Sequence, residues 1–136
     1  MFVATREQLD NGTAVVRVMG EVDLATVPEL KRALLGEGED LTGALIVDLT
    51  GCTFLDSTGL AALIATRKRL GRSNRRLALV LSTPAVLRIF QMTALDQVFQ
   101  IYPSLGAAVA GNCNANGNGR LEASSIDRAR AQSTRG

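Results

Sequence analysis

Apolar and polar positions change rhythm several times along this chain, and each change predicts an element. Strand-like runs at about 2–8 and 13–19 flank Asp10-Asn11-Gly12. Asn and Gly tolerate the positive φ of a tight turn, so the two runs read as a β-hairpin. Val27, Leu30 and Leu34 then recur at helical spacing, with Ala33 beside them. Pro28 suits a first turn and Gly36 and Gly38 mark a stop, which predicts a helix over about 25–35. ALIVDL, at 44–49, is continuous and apolar, the pattern of a strand buried on both faces. After the loop-like TGCTFLDS, Leu60, Leu63, Ile64 and Leu70 form one helical stripe that Gly71 ends. A second buried strand is predicted at about 76–81. Thr83 is suited to cap a helix that starts at Pro84 and runs to about 92. A short strand at 98–101 and a short helix from Pro103 through Ala110 complete the series. Phe90, Met92 and Phe99 are expected in the core.

The predicted order is β-β-α-β-α-β-α-β-α. Strands alternating with helices imply crossover connections, hence an α/β domain with a mostly parallel sheet of about five strands and about four helices. The opening hairpin makes the sheet mixed. The domain is expected to span 1–110. From Gly111 onward Gly, Asn, Ser and Arg dominate and large apolar residues are few. Such a stretch buries too little surface to offset the entropy of ordering, so 111–136 is expected to be a disordered tail.

Composition narrows the chemistry. The 136 residues suit one domain, 46% of them hydrophobic but only 4% aromatic, with no Trp. The core must be built from Val, Leu, Ile and Ala. With no histidine in the chain, Ser-His-Asp and Cys-His nucleophile pairs and His-containing zinc sites are excluded. Cys52 and Cys113 are too few for a thiolate metal cage; two free thiols are expected, with a disulfide between them the alternative. No apolar run approaches the ~20 residues of a membrane helix, and neither a signal peptide nor a lipidation motif is visible. A cytoplasmic protein without membrane attachment is expected.

Net charge is +2. Counted along the sequence, residues 1–110 hold 11 basic and 11 acidic side chains, so the excess lies beyond them. Arg67, Lys68, Arg69, Arg72, Arg75 and Arg76 crowd one stretch. A nucleic acid or an acidic partner is one reading. The favoured one is a solvated helix C-terminus, where positive charge is stabilising and where the aromatics that stack bases are missing. No direct DNA binding is expected.

The stretch VDLTGCTFLDSTGLAAL, 47–63, carries the candidate chemistry. A buried strand ends, and Asp56-Ser57-Thr58-Gly59 opens a helix. Either Asp56 or Ser57 suits the N-cap. The Ser57 hydroxyl then lies at the positive end of a helix dipole, where free backbone N–H groups would stabilise a phosphate. Gly59 is expected to keep the surface low so that a partner can approach. Thr58 reads as a helix-opening residue rather than a second acceptor. A plain helix cap is the competing account, and on capping chemistry alone it is the stronger. Enzyme readings fail: the glycine is misplaced for an aspartic protease, no histidine could serve a serine nucleophile, and no phosphate loop is present.

Taken together, the motifs resemble the STAS family, in particular its bacterial anti-sigma factor antagonists, across about 2–110. The resemblance rests on Asp48-Leu49, on Phe54-Leu55-Asp56-Ser57-Thr58-Gly59-Leu60, on Gly20-Glu21-Val22-Asp23, and on Ser82-Thr83-Pro84-Ala85-Val86. It implies a single STAS domain with no catalytic residue, cofactor or metal of its own. It implies that Ser57 is the phosphoacceptor, flanked by Asp23 and Asp56, and that Asp23, Asp56, Ser57, Thr58 and Gly59 meet the partner. The implied partners are an anti-sigma factor that is a serine kinase, bound by the unphosphorylated form, and a metal-dependent serine phosphatase. A STAS scaffold or a transporter-associated module is the alternative. A small nucleotide-binding enzyme is disfavoured by the missing histidine and phosphate loop.

Overall fold

The computed structural model describes residues 1–9, 12–36 and 43–118, with side chains through residue 111. Strands β1 (Phe2–Gln8) and β2 (Ala14–Val22) are followed by helix α1 (Val27–Leu35). Then come β3 (Leu45–Leu55), α2 (Ser57–Gly71), β4 (Leu77–Val80) and α3 (Pro84–Met92). A 3-10 turn at Leu95–Gln97 leads to β5 (Gln100–Tyr102) and α4 (Leu105–Asn118). The five strands lie in the order β1-β2-β3-β4-β5. β1 and β2 pair antiparallel, and the other neighbours pair parallel. The α/β expectation with an opening hairpin is met. Of its turn, Asp10 and Asn11 lie outside the described residues. Gly12 has φ +86°, and the Leu9 N–H donates to the Thr13 carbonyl at 2.7 Å.

Successive strand residues point to opposite faces, and both faces of the central strands are buried. Val16, Val47 and Leu79 meet Leu30, Leu63 and Phe90 of α1, α2 and α3 in the larger core. Val15, Ile46, Ala78 and Val80 meet Ala108 of α4 in the smaller one. This two-sided burial is why ALIVDL carries no polar alternation. Each fully buried Leu or Ile contributes on the order of 1.5–3 kcal/mol. Phe90 and Phe99 meet edge to face, ring centroids 5.9 Å apart.

Several expectations need correction. β3 does not end at residue 49 but runs to Leu55, absorbing most of the segment read as a loop. Thr50 and Thr53 in this part are exposed while β2 still pairs the strand through Leu55, so the continuous hydrophobic signal ends before the strand does. Met92 is 78% exposed. It lies two residues from buried Phe90, about 200° away around the helix. The last strand is β5, and Val98 precedes it on the surface. Thr83 stands at the N-cap of α3 but makes no side-chain cap bond. Helix α4 continues past residue 110 to Asn118, so 111–118 are helical rather than tail. Gly111, read as a break, is the point where the helix passes over Tyr102: a Cβ there would stand 2.5 Å from the phenol oxygen. The remainder of the expected tail, 119–136, lies outside the described residues.

At the end of the sheet where α1 finishes, arginines tie elements together. Arg6 on β1 donates Nη1 to the carbonyl of Ala33 and, at 3.2 Å, to that of Leu34. Arg69 donates Nη2 to the Leu34 carbonyl at 3.2 Å, and Arg75 donates Nε to Gly43 at 2.9 Å. Cations at the end of α1 also suit its dipole.

Gly20 is a backbone necessity. It has φ +99°, and a Cβ would collide with the Met1 carbonyl oxygen. Gly20→Ala is expected to cost about 1–3 kcal/mol and lower the melting temperature by at least ~4 °C. A thermal melt by circular dichroism checks this; an unchanged midpoint would refute the account.

Candidate functional site

The candidate residues gather where β2 and β3 end together. Val22 pairs with Leu55, and the Asp56 N–H donates to the Val22 carbonyl at 3.1 Å. The chain turns sharply after each strand, so the segments holding Asp23 and Asp56 emerge side by side. Carboxyl ends of parallel strands are where such sites form.

Asp56 is the N-cap of α2. Its Oδ1 accepts the N–H groups of Thr58 at 3.0 Å and Gly59 at 3.2 Å, and the Thr58 hydroxyl at 2.5 Å. The Thr58 hydroxyl is the main reason that the Asp56 carboxyl sits below the usual carboxylate range, with the backbone amides adding to it against desolvation. Thr58 is thus spent on the cap, as its helix-opening reading expected. Ser57 is the first residue of the helix, exposed, with its hydroxyl outside the cap.

The amides of Thr58 and Gly59 are not free for a phosphate, because the Asp56 carboxylate already holds them. The dipole of α2 remains available.

Asp23 organises the turn before α1. Its Oδ1 accepts from the N–H of Ala25 at 3.0 Å and of Thr26 at 3.1 Å. Thr26, which sequence reasoning did not single out, accepts from the Asp23 N–H at 2.9 Å and donates to the Glu21 carbonyl at 2.9 Å. The signal was the Asp-x-x-Thr spacing ahead of an apolar helix, the arrangement of a helix-opening turn. Leu24, between these residues, is 74% exposed, and Phe54, two residues before Asp56, is 48% exposed. Leu24 was not singled out from the sequence, and Phe54 entered only as part of the motif from Phe54 to Leu60.

Gly59 does not do what was expected of it. It is buried, and a Cβ would stand 2.5 Å from Leu55 Cδ1 and 2.6 Å from Val22 Cγ1. It lets α2 sit against the two strand ends and faces the interior, not an approaching partner. Cys52 is a buried free thiol that donates to the Phe54 carbonyl at 3.2 Å. Burial pushes that thiol above its ordinary value, which keeps it protonated and unreactive. The side chain of Cys113 lies outside the described residues. Among the described residues no group of His, Cys, Asp and Glu could hold a metal ion, and no helix is long and apolar enough to cross a membrane.

Two tests follow from this geometry. Gly59→Ala overpacks the junction and is expected to cost about 1–3 kcal/mol, read in a denaturant melt; a neutral result would mean the junction is loose. Because the folded carboxyl of Asp56 is lowered, its cap is intact above the ordinary range and is lost only as pH falls through the lowered value. A ¹³C titration should place its midpoint below the usual aspartate range, and Thr58→Ala should raise that midpoint. No response to Thr58→Ala would reject the hydroxyl as the main cause.

Residues 4–108 match the STAS domain family. An anti-sigma-F factor antagonist, RsfB, of Mycobacterium tuberculosis is 34% identical over 101 residues, 74% of this chain and 82% of that protein. An anti-sigma-B factor antagonist of Staphylococcus aureus is 33% identical over 86 residues, 63% of this chain and 80% of that one. The crystal structure of an anti-sigma factor antagonist from Mycobacterium paratuberculosis superposes with a TM-score of 0.75 at 33% identity, covering 83% of this chain and 95% of that chain. The five-stranded sheet, the capped turn at Asp56-Ser57-Thr58-Gly59 and a match over most of the chain lead to one conclusion: this protein belongs to the STAS domain family.

Proposed function

We propose that this protein is an anti-sigma factor antagonist switched by phosphorylation of Ser57. In its unmodified form it binds an anti-sigma factor of the serine-kinase type and so frees a sigma factor. That kinase, using ATP, phosphorylates Ser57 and ends the binding. A metal-dependent serine phosphatase restores the unmodified form. The protein itself is a cytoplasmic regulator without catalytic residues or cofactor, and it does not contact DNA.

One observation carries this reading. At the end of two paired strands, Ser57 is exposed with a hydroxyl outside the helix cap, while the neighbouring Thr58 hydroxyl is bonded to Asp56. The names of the M. tuberculosis and S. aureus relatives support the antagonist role. The surroundings supply a physical basis for the switch. Glu21, Asp23 and Asp56 already make this end acidic, and Leu24 and Phe54 offer apolar surface beside them. A phosphate adds about −1.5 to −2 charge. With the first amides of α2 held by Asp56, that charge either displaces the Asp56 carboxylate from its cap or stands out in solvent against the carboxylates. Either outcome alters the face that a partner would meet.

Incubation with the cognate anti-sigma kinase and ATP should place phosphate on Ser57, as read by mass spectrometry. Ser57→Ala should block the modification, keep partner binding within about twofold, and move stability by no more than ~0.5 kcal/mol, since the hydroxyl lies outside the cap. Ser57→Asp should weaken binding. Modification mainly at Thr58, or loss of binding by a folded Ser57→Ala, would overturn the proposal.

A further inference from the structure

At the opposite end of α2 from Ser57, helices α1 and α2 leave a groove of about 400 Å³. Ala62, Ala65 and Thr66 form a low floor, and Leu35, 59% exposed, forms one wall. Among the described residues, Lys31, Lys68, Arg69 and Arg72 supply all the charge that lines it, and no carboxylate does.

Cations are favourable at helix C-termini, and both helices end here: Leu35 is the last residue of α1 and Arg72 the C-cap of α2. Two such termini carry roughly −0.5 each, so among the described residues the four full charges leave a positive excess. The last carbonyls of α1 are served without most of them. Arg6 and Arg69 bond Leu34, and Arg6 also bonds Ala33. Lys31, Lys68 and Arg72 are exposed and are not needed for that role.

We infer that this groove docks an acidic amphipathic segment of a partner protein. Carboxylates of the segment meet the four cations, and an apolar side chain lies against Leu35 and the alanine floor. Charge complementarity selects an acidic occupant. The apolar wall and floor select a protein segment over a nucleic acid, because no aromatic side chain lines the groove to stack bases and phosphates gain nothing from Leu35. The groove is independent of the Ser57 switch. The 15 residues of α2 span about 22 Å, beyond the ~10 Å screening length at 0.1 M salt, so a phosphate at one end leaves the other nearly unchanged.

The test uses the full chain and a short fluorescein-labelled peptide, rich in Glu with Leu at helical spacing, followed by fluorescence anisotropy. Saturable binding at low salt is expected, with amide shifts centred on Lys31–Leu35 and Ala62–Arg72. The Lys68→Glu/Arg72→Glu double variant should bind at least about tenfold more weakly. Leu35→Ser should weaken binding without changing charge. Ser57→Asp should bind the peptide as the parent does. Circular dichroism keeps each variant comparable in fold. Absence of saturable binding, equal binding of an all-Gln counterpart, an unaffected double variant, or a single-stranded oligonucleotide that displaces the peptide from these residues would overturn the inference.

Discussion

The contact that the Ser57 end of the molecule depends on is the junction of Val22, Leu55 and Gly59. Val22 and Leu55 are the last paired residues of β2 and β3, and both are buried. Gly59, the third residue of α2, packs against both side chains with no room for a Cβ. That close approach sets where α2 begins. With α2 fixed there, Asp56 must cap it, and the Asp56 N–H closes onto Val22. Ser57 is left as the first helical residue, turned to solvent. The turn after Val22 has little freedom either, because Asp23 and Thr26 bond within it. An apolar contact thus determines the placement of polar groups that share no direct bond.

The same helix separates two electrostatic environments. Its N-terminal end lies beside Glu21, Asp23 and Asp56, and its C-terminal end carries Lys68, Arg69 and Arg72. Burial pushes the Arg75 guanidinium below its ordinary value, and the neighbouring charges of Arg69 and Arg6 push it further. Mutual repulsion among cations is tolerated at this end because the carbonyls of α1 and Gly43 accept their hydrogen bonds. A net charge of +2 for the chain conceals this polarity, which exists only once the helix is set on the sheet.

Much of the fold is legible in the amino-acid order, and for identifiable reasons. The hairpin, the two-sided strand at 44–49 and the stripe of α2 are local patterns whose periods differ enough to be told apart. Asp56 at the head of an apolar helix names its own role through capping chemistry. Less legible are features whose cause is distant in sequence. Strand β3 reaches Leu55 because β2 pairs it, α4 passes Gly111 because Tyr102 lies beneath that residue, and Met92 turns outward because Phe90 takes the interior.

The local sequence therefore determined the elements, their order, the family resemblance and the candidate residues, since hydrophobic period, turn residues and caps act over a few positions. Tertiary structure alone decided what each candidate does. Gly59 looked like an opening for a partner and is an internal contact, because only packing shows which way a missing side chain would have pointed. Thr58 and Ser57 are neighbouring hydroxyls in sequence; the cap occupies one and leaves the other exposed, because a carboxylate fixed by the β2–β3 junction reaches only so far. The basic stretch after Thr66 read as a helix end, and its juxtaposition with Lys31 and Leu35 arises only when α1 and α2 pack side by side.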